Sequence, residues 1–438
     1  MAFPPYLTSI AARLRAARVR TAGIYLGASV LARAGAFFLI PLYTRRLSAA
    51  EYGEYALAQT LVALLSTPLT LGMLAAVNRF YFTSDDVAAS RARSGSAAKW
   101  VVLVAVLGGL LCAALVMGVV PAGGHGVGGR HELLCATVAA VGTSLAQIPV
   151  TFSRAAQRPL TAAAFQLVEF VASVGSGLLL VAGLDRGLQG AIEALALSGL
   201  VTGTFGAAFA IFVMPGRLEL QTLRDALRFS LPFVPHAAGN QIQAISDRWL
   251  LKWTGQSDAI GPYALAAQLT SPVMMVLQSW HEAATPALGE VFRKRGLVGL
   301  REEMGRTRRS FALVAAIPGV LLSAALPIAF GVFHLAGDRF SSALLIAPFI
   351  CLSLVVESLY YAEFNVLYYA DRSSWIPPIT FSAGGLNVIL NLVLISSFGV
   401  VGALAARLIS MSFRSLLMHL AARRCFAPLD SPPVDGTP

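Results

Sequence analysis

The sequence predicts an all-α integral membrane protein of about twelve transmembrane helices, arranged as two six-helix parallel-repeat lobes. Three observations predict it. Of the 438 residues, 56% are hydrophobic and only 13% charged, with a mean hydropathy of +0.70, whereas soluble domains carry about 25% charged residues. The apolar residues gather into blocks of about 20, long enough as helices to cross a hydrocarbon core of about 30 Å. Finally, YGEYALA at 52–58 returns as IGPYALA at 260–266, each copy opening an apolar block.

In chain order the blocks run roughly over 22–41, 55–77, 98–120, 132–152, 162–183, 189–213, 228–253, 262–285, 311–333, 342–366, 375–397 and 400–421. This organises the chain as a basic N-terminal segment at 1–20, a first lobe at 21–213, a linker at 214–227, a second lobe at 228–421 and a disordered tail at 422–438. No cleavable signal peptide is expected, because the first apolar block continues into IPLYTRRLSAAEYG without a small-residue cleavage pattern.

The net charge of +11 raises the question of nucleic acid, and the placement of the 33 Lys and Arg answers it. With the N-terminus in the cytoplasm, 23 fall in cytoplasmic segments and six in the opposite loops. That bias is the positive-inside pattern, so the basicity reports orientation and attraction to anionic lipid, not nucleic acid. Both termini are expected in the cytoplasm, and the compartment is the cytoplasmic (inner) membrane. The remaining four, Arg33, Arg248, Arg407 and Arg414, lie inside spans. The four cysteines show no CxxC spacing and read as small hydrophobes, with no metal site and no cofactor.

An even number of spans separates the two copies of the repeat, so both helices cross the membrane in the same direction. In transporters such parallel repeats are related by an axis along the membrane normal, with the substrate site near the midplane. In each copy the glycine reads as a supplier of positive φ at a tight re-entry, and the tyrosine as an interfacial anchor.

PLYTRRLSAAEYGEYAL after the first span, ISDRWLL followed by GPYALAAQL, and LNVILNLVLISSFGVVGALAARLIS near the end together resemble the bacterial polysaccharide-biosynthesis transporters. These are oligosaccharide-lipid flippases of the superfamily that also holds the multidrug and toxic-compound extrusion (MATE) antiporters and the lipid II flippase. The resemblance covers nearly the whole chain. It implies a MATE-like, V-shaped transporter that moves undecaprenyl-pyrophosphate-linked oligosaccharide from the cytoplasmic to the periplasmic leaflet by alternating access, for O-antigen, capsule or exopolysaccharide synthesis. Membrane lipids and other polysaccharide assembly proteins are the further partners implied. Arg407 departs from the family pattern, which usually has an uncharged residue there.

A diphosphate in a low-dielectric cavity calls for a cation with several donors, which Arg supplies as a planar fork. Arg33 falls near the bilayer centre, where an Arg costs roughly 2.5–3.5 kcal/mol, so it is expected to face a cavity or a partner. The first helix of the lipid II flippase also carries arginine, and the resemblance extends that role to Arg33; holding two helices together is the other reading. In GNQIQAISDRWLLKW, Asn240, Gln243 and Asp247 share one face, with Arg248 turned away by about 100° near the periplasmic end, where snorkelling to water is as good a reading as substrate contact. Glu357 lies deep in its span and, with Asp247 and Glu169, is a candidate for a coupling proton or Na⁺; helix-bridging hydrogen bonds explain each equally well. Asn387 and Asn391 read as interhelical packing contacts, and His281 as a solvated interfacial histidine. The expected substrate-binding set is therefore Arg33, Asn240, Gln243, Asp247, Arg248, Glu357 and Arg407.

A MATE-type cation antiporter shares the architecture but calls for an acidic cavity, and a lipid II flippase is a further alternative. An enzyme is not expected, since no extracytoplasmic loop much exceeds about a dozen residues and no nucleotide-binding motif is present.

Overall fold

The computed structural model describes residue 35 and residues 37–82, 86–121, 128–231, 233–332 and 335–427, with the backbone alone described at 233, 235–240 and 242–244. The basic segment 1–20, Arg33, the side chains of Asn240 and Gln243, and the tail from Pro428 onward lie outside the described residues. The described residues hold helices and turns and no strand. Seven of these helices are long and apolar enough to cross a membrane, or eight if a bent pair counts as one span.

The chain divides into two compact units. The first comprises residues 1–47 and 57–238. Its helices are α1 (37–46), most of α2 (Ala49–Leu69), α3 (Leu74–Phe80), α4 (Val87–Val119), α5 (Arg130–Ala155), α6 (Pro159–Gly177), α7 (Gly187–Ala208) and α8 (Leu220–Ser230). Asp86 caps α4 by accepting from the amides of Ala88 at 2.8 Å and Ala89 at 3.3 Å. The bent pair is α2 and α3, which meet at 51°. Pro68 precedes the bend, and Leu71 (φ 48°) and Gly72 (φ 66°) carry it through the left-handed region. α5 and α7 press together through small residues: a Cβ on Gly142 would stand 2.0 Å from the Gly199 carbonyl oxygen, and one on Gly203 2.6 Å from the Gly142 Cα. Gly199 and Gly203 form a G-x-x-x-G pair, the spacing that brings helix backbones into contact in a membrane. In the stretch read as a linker, α8 is tied to α4 by an ion pair between Arg93 and Asp225 at 2.5 Å.

The second unit comprises residues 48–56 and 239–438. It holds most of α9 (Phe233–Trp253), then α10 (Ser257–Gly331), α11 (Ala343–Tyr369) and α12 (Ile376–Phe426). α10 and α12 are each two helical arms meeting at a left-handed glycine, Gly296 (φ 59°) and Gly399 (φ 56°). Leu277, Phe311 and Ala362 pack the arms of α10 against α11. The first turns of α2 also belong to this unit. They start at a reciprocal capping box, in which the Ser48 amide donates to Glu51 Oε2 at 2.8 Å and the Glu51 amide to Ser48 Oγ at 3.2 Å.

The two copies of the repeated heptapeptide cross one another in this unit. A Cβ on Gly261 would lie 2.1 Å from the Ala49 carbonyl oxygen, and one on Gly53 3.0 Å from the Ile260 Cβ. The expected role of these glycines is thereby corrected: both sit inside helices without positive φ, and their use is close approach of two backbones. The tyrosines are corrected too. Tyr55 and Tyr263 are 6% and 2% exposed, because the tight crossing draws the neighbouring turns into the interior instead of leaving them at an interface.

Candidate functional site

The polar centre of the second unit is assembled by helical spacing. On α9, Ser246, Asp247 and Arg248 are consecutive. On α12, Asn387 and Asn391 lie one turn apart on the first arm, while Arg407, Ser410 and Arg414 share a face of the second. α11 supplies Ser353 and Glu357, four apart, and α10 supplies Tyr263. Each sequence is otherwise apolar, so the shared faces turn inward, where polar groups find partners that lipid cannot offer.

Asp247, 2% exposed, accepts from the Tyr263 hydroxyl through Oδ2 and from Asn391 Nδ2 through Oδ1 at 2.6 Å. Asn387 Oδ1 accepts from Ser246 Oγ at 2.8 Å and from Asn391 at 3.1 Å, and its own amide donates to Ser410 Oγ at 3.1 Å. The asparagine pair thus joins α9 to both arms of α12. Arg407 Nε donates to Ser353 Oγ at 2.9 Å, and Tyr263 and Asp247 are among its electrostatic neighbours. Arg414 donates to Glu357 Oε1 at 2.6 Å and lies 4.4 Å over the Tyr360 ring. Glu357 is accordingly held by an internal arginine.

Arg248 and Arg414 each bury an Nε without a hydrogen-bond partner, but Arg414 spends another nitrogen on Glu357, whereas Arg248 has Asp247, Tyr263, Tyr52 and Arg407 as electrostatic neighbours only. The centre therefore holds three guanidinium groups, Arg248, Arg407 and Arg414, against two carboxylates, Asp247 and Glu357. Both carboxylates already accept from internal donors. A site with surplus buried donors and no unengaged carboxylate suits an anion.

Of the expected site residues, Asp247, Arg248, Glu357 and Arg407 come together here, whereas Arg33 and the side chains of Asn240 and Gln243 lie outside the described residues. Tyr263, which sequence reasoning gave to the interface, donates its hydroxyl to buried Asp247. A further cluster joins Arg308 to Glu363 at 2.6 Å, with His419 Nδ1 3.0 Å from the same carboxylate oxygen. His281 is not the solvated histidine expected. Its ring packs against Tyr361, Phe364 and Phe311 at 5.0, 5.4 and 6.2 Å, and Nδ1 is buried without a partner. The four cysteines are free thiols, and among the described residues no group of three or more His, Cys, Asp or Glu is placed to hold a metal ion.

The sequence model of the family described as "Polysaccharide biosynthesis protein" matches residues 19–292. A probable low-salt glycan biosynthesis flippase from Haloferax volcanii is 23% identical over 394 residues, covering 88% of this chain and 79% of the relative. Among solved structures, the inward-facing conformation of a multidrug resistance MATE family transporter of the MOP superfamily aligns with TM-score 0.74 at 13% identity, covering 91% of this chain and 95% of that one. A MOP superfamily transporter from Pyrococcus furiosus, described as having a binding pocket of reverse polarity, aligns with TM-score 0.63 at 14% identity, covering 93% of this chain and 96% of that one. At such identities these likenesses show the fold: an all-α, multi-pass membrane protein built as the MATE transporters are.

Proposed function

Since this chain belongs to the polysaccharide biosynthesis protein family, we propose that it is a flippase moving undecaprenyl-pyrophosphate-linked oligosaccharide from the cytoplasmic to the periplasmic leaflet of the inner membrane. It works by alternating access, with both termini in the cytoplasm, in the synthesis of O-antigen, capsule or exopolysaccharide. The observation that carries this reading is the surplus of buried guanidinium donors at Arg248, Arg407 and Arg414 over the internally engaged Asp247 and Glu357. Arg248 keeps a buried donor unspent, and a diphosphate supplies the acceptors it lacks. A cationic drug would meet repulsion at the same place. The reading is also supported by the relative from Haloferax volcanii, whose name is that of a glycan flippase.

In this scheme Arg248 grips the diphosphate and Arg407 adds charge beside it, while Arg33, Asn240 and Gln243 are further candidate contacts to the substrate. The coupling proton or Na⁺ is taken at Asp247, whose hydrogen-bond partners Tyr263 and Asn391 are neutral, whereas the charge of Glu357 is already paired with Arg414. The test is reconstitution into liposomes holding a polyprenyl diphosphate oligosaccharide, with glycan reaching the far leaflet read by an impermeant glycosidase. Arg248→Ala is expected to slow export at least about tenfold, as losing a charged hydrogen bond of about 1.5–3 kcal/mol implies. Arg248→Lys restores only part, since it keeps charge and loses the fork. Parental export by Arg248→Ala overturns the assignment of the diphosphate. Gradient-driven uptake of a cationic dye without lipid movement overturns the flippase reading in favour of an antiporter.

A further inference from the structure

The bend between α2 and α3 opens a cavity of about 380 Å³ in the first unit, within the range of small-molecule sites (about 300–1,000 Å³). Its polar lining consists of Ser66, Thr67 and Thr70 at the end of α2 and Thr143, Ser144 and Gln147 on the facing side of α5, with Leu74 and Ala75 of α3 closing the apolar side. Among the described residues no charged side chain lines it.

The hydrogen-bond inventory of these six residues decides what fits. Ser66 Oγ donates to the Val62 carbonyl at 2.6 Å, Ser144 Oγ to the Ser66 carbonyl at 3.2 Å, Thr70 Oγ1 to the Ser66 and Thr67 carbonyls at 3.2 Å each, and Thr143 Oγ1 to the Ala139 carbonyl at 2.8 Å. Four hydroxyls have thus spent their proton on the backbone and present lone pairs only. The Thr67 hydroxyl and the Gln147 carboxamide have no hydrogen-bond partner among the described residues, and these two keep donors as well as acceptors. Among the described residues a cation finds no carboxylate there, and a diphosphate no guanidinium or ammonium group. A sugar ring matches, with hydroxyls that donate to the four lone-pair acceptors and exchange bonds with Thr67 and Gln147, and C–H faces that lie on Leu74 and Ala75.

We infer that this elbow cavity is a binding subsite for uncharged sugar rings, separate from the cationic centre of the second unit. The inference rests on the flippase reading, of which it specifies the glycan side. The bend is what makes the site: a straight α2 would keep the backbone at 70–73 helical and leave no room, and the left-handed Leu71 and Gly72 are the local departure that creates it.

The experiment uses the full chain in detergent and two probes that differ only in the sugar: a polyprenyl diphosphate carrying a neutral oligosaccharide, and the same polyprenyl diphosphate without one. Thr67→Val with Gln147→Leu keeps side-chain volume and removes the two unspent donors, so its unfolding temperature is expected to equal the parent's. Ala75→Phe fills the cavity without touching a polar group. Both variants are expected to bind the sugar-bearing lipid about tenfold more weakly and the sugar-free lipid as the parent does. Unchanged affinity of both variants for the sugar-bearing lipid overturns the subsite and leaves the flippase reading standing. Equal weakening toward both lipids overturns the sugar assignment. A parent chain that binds neither lipid overturns the subsite and the flippase reading together.

Discussion

The crossing of the repeated heptapeptides gives a quantitative forecast for Gly261→Ala. The added Cβ would stand 2.1 Å from the Ala49 carbonyl oxygen, against an ordinary C···O approach of about 3.3 Å. Neither group is a flexible side chain, so the helices themselves must part by about 1 Å. Overpacking of this kind costs about 1–3 kcal/mol, and opening a gap of 0.5–1 Å forfeits a quarter to a half of the dispersion energy at each contact. Alanine returns up to about 1 kcal/mol through helix propensity. The net expectation is a loss of about 1–3 kcal/mol, read as a lower unfolding temperature in detergent. Two controls rank the effect. Gly53→Ala meets the Ile260 Cβ at 3.0 Å and the Gly261 nitrogen at 3.1 Å, a shift of tenths of an ångström that the propensity gain roughly offsets. Gly305→Ala has nothing within 4 Å and is expected to stabilise slightly. If Gly261→Ala unfolds at or above the parental temperature alongside Gly305→Ala, the crossing is not tight and the account given for the repeat is wrong.

Arg414 and Glu357, 7% and 9% exposed at the side chain, form a buried ion pair. Removing either charge alone is expected to cost about 3–5 kcal/mol, whereas replacing both by Met recovers most of it; equal losses in single and double variants would refute the pairing. In a chain lacking its native cysteines, a cysteine at Gly305 is expected to resist a membrane-impermeant thiol reagent in intact cells, as a cytoplasmic α10 turn requires. Gly305 is preferred to the more central Gly296, whose left-handed φ would strain any side chain. Hydrogen bonds from Arg293, then Lys294, hold the exposed Glu290 carboxyl well below its usual range, at about 2. Its contribution to the α10 turn is therefore present above the ordinary Glu range of about 4.3 and lost as pH falls toward about 2. Amide exchange around Gly296 should show this dependence in the parent and lack it in Glu290→Gln.

Membrane character and the family resemblance were legible because composition and short motifs are one-dimensional properties. So was the inward turn of Asp247, since an ionisable residue inside a span must find a partner away from lipid. What stayed hidden depended on partners distant in sequence. Arg414 gives no sign in its own segment that Glu357 will engage it, and Tyr263 looks like any interfacial tyrosine until Asp247 arrives beside it. Gly53 and Gly261 were noticed as a repeat yet misread in mechanism, because a glycine needed for left-handed φ and one needed for close approach are the same letter. The bend at 70–73 is different: Pro68 and Gly72, four apart inside an apolar block, were a readable break signal. The run of Ser and Thr around it looked like ordinary membrane-helix composition, and only the bend turns those hydroxyls toward a common space.

The assignment of residues 48–56 to the second unit also bears on the order of synthesis. A ribosome releases Ala49 and Gly53 long before Ile260 and Gly261 exist, so the start of α2 enters the bilayer with its packing surface unmet. Until the eighth apolar block emerges, that surface must face lipid or a membrane chaperone. Nascent chains stalled between these points would therefore be the most readily degraded, and codon choice or pausing across 57–256 would change yield without changing a single residue of the finished protein.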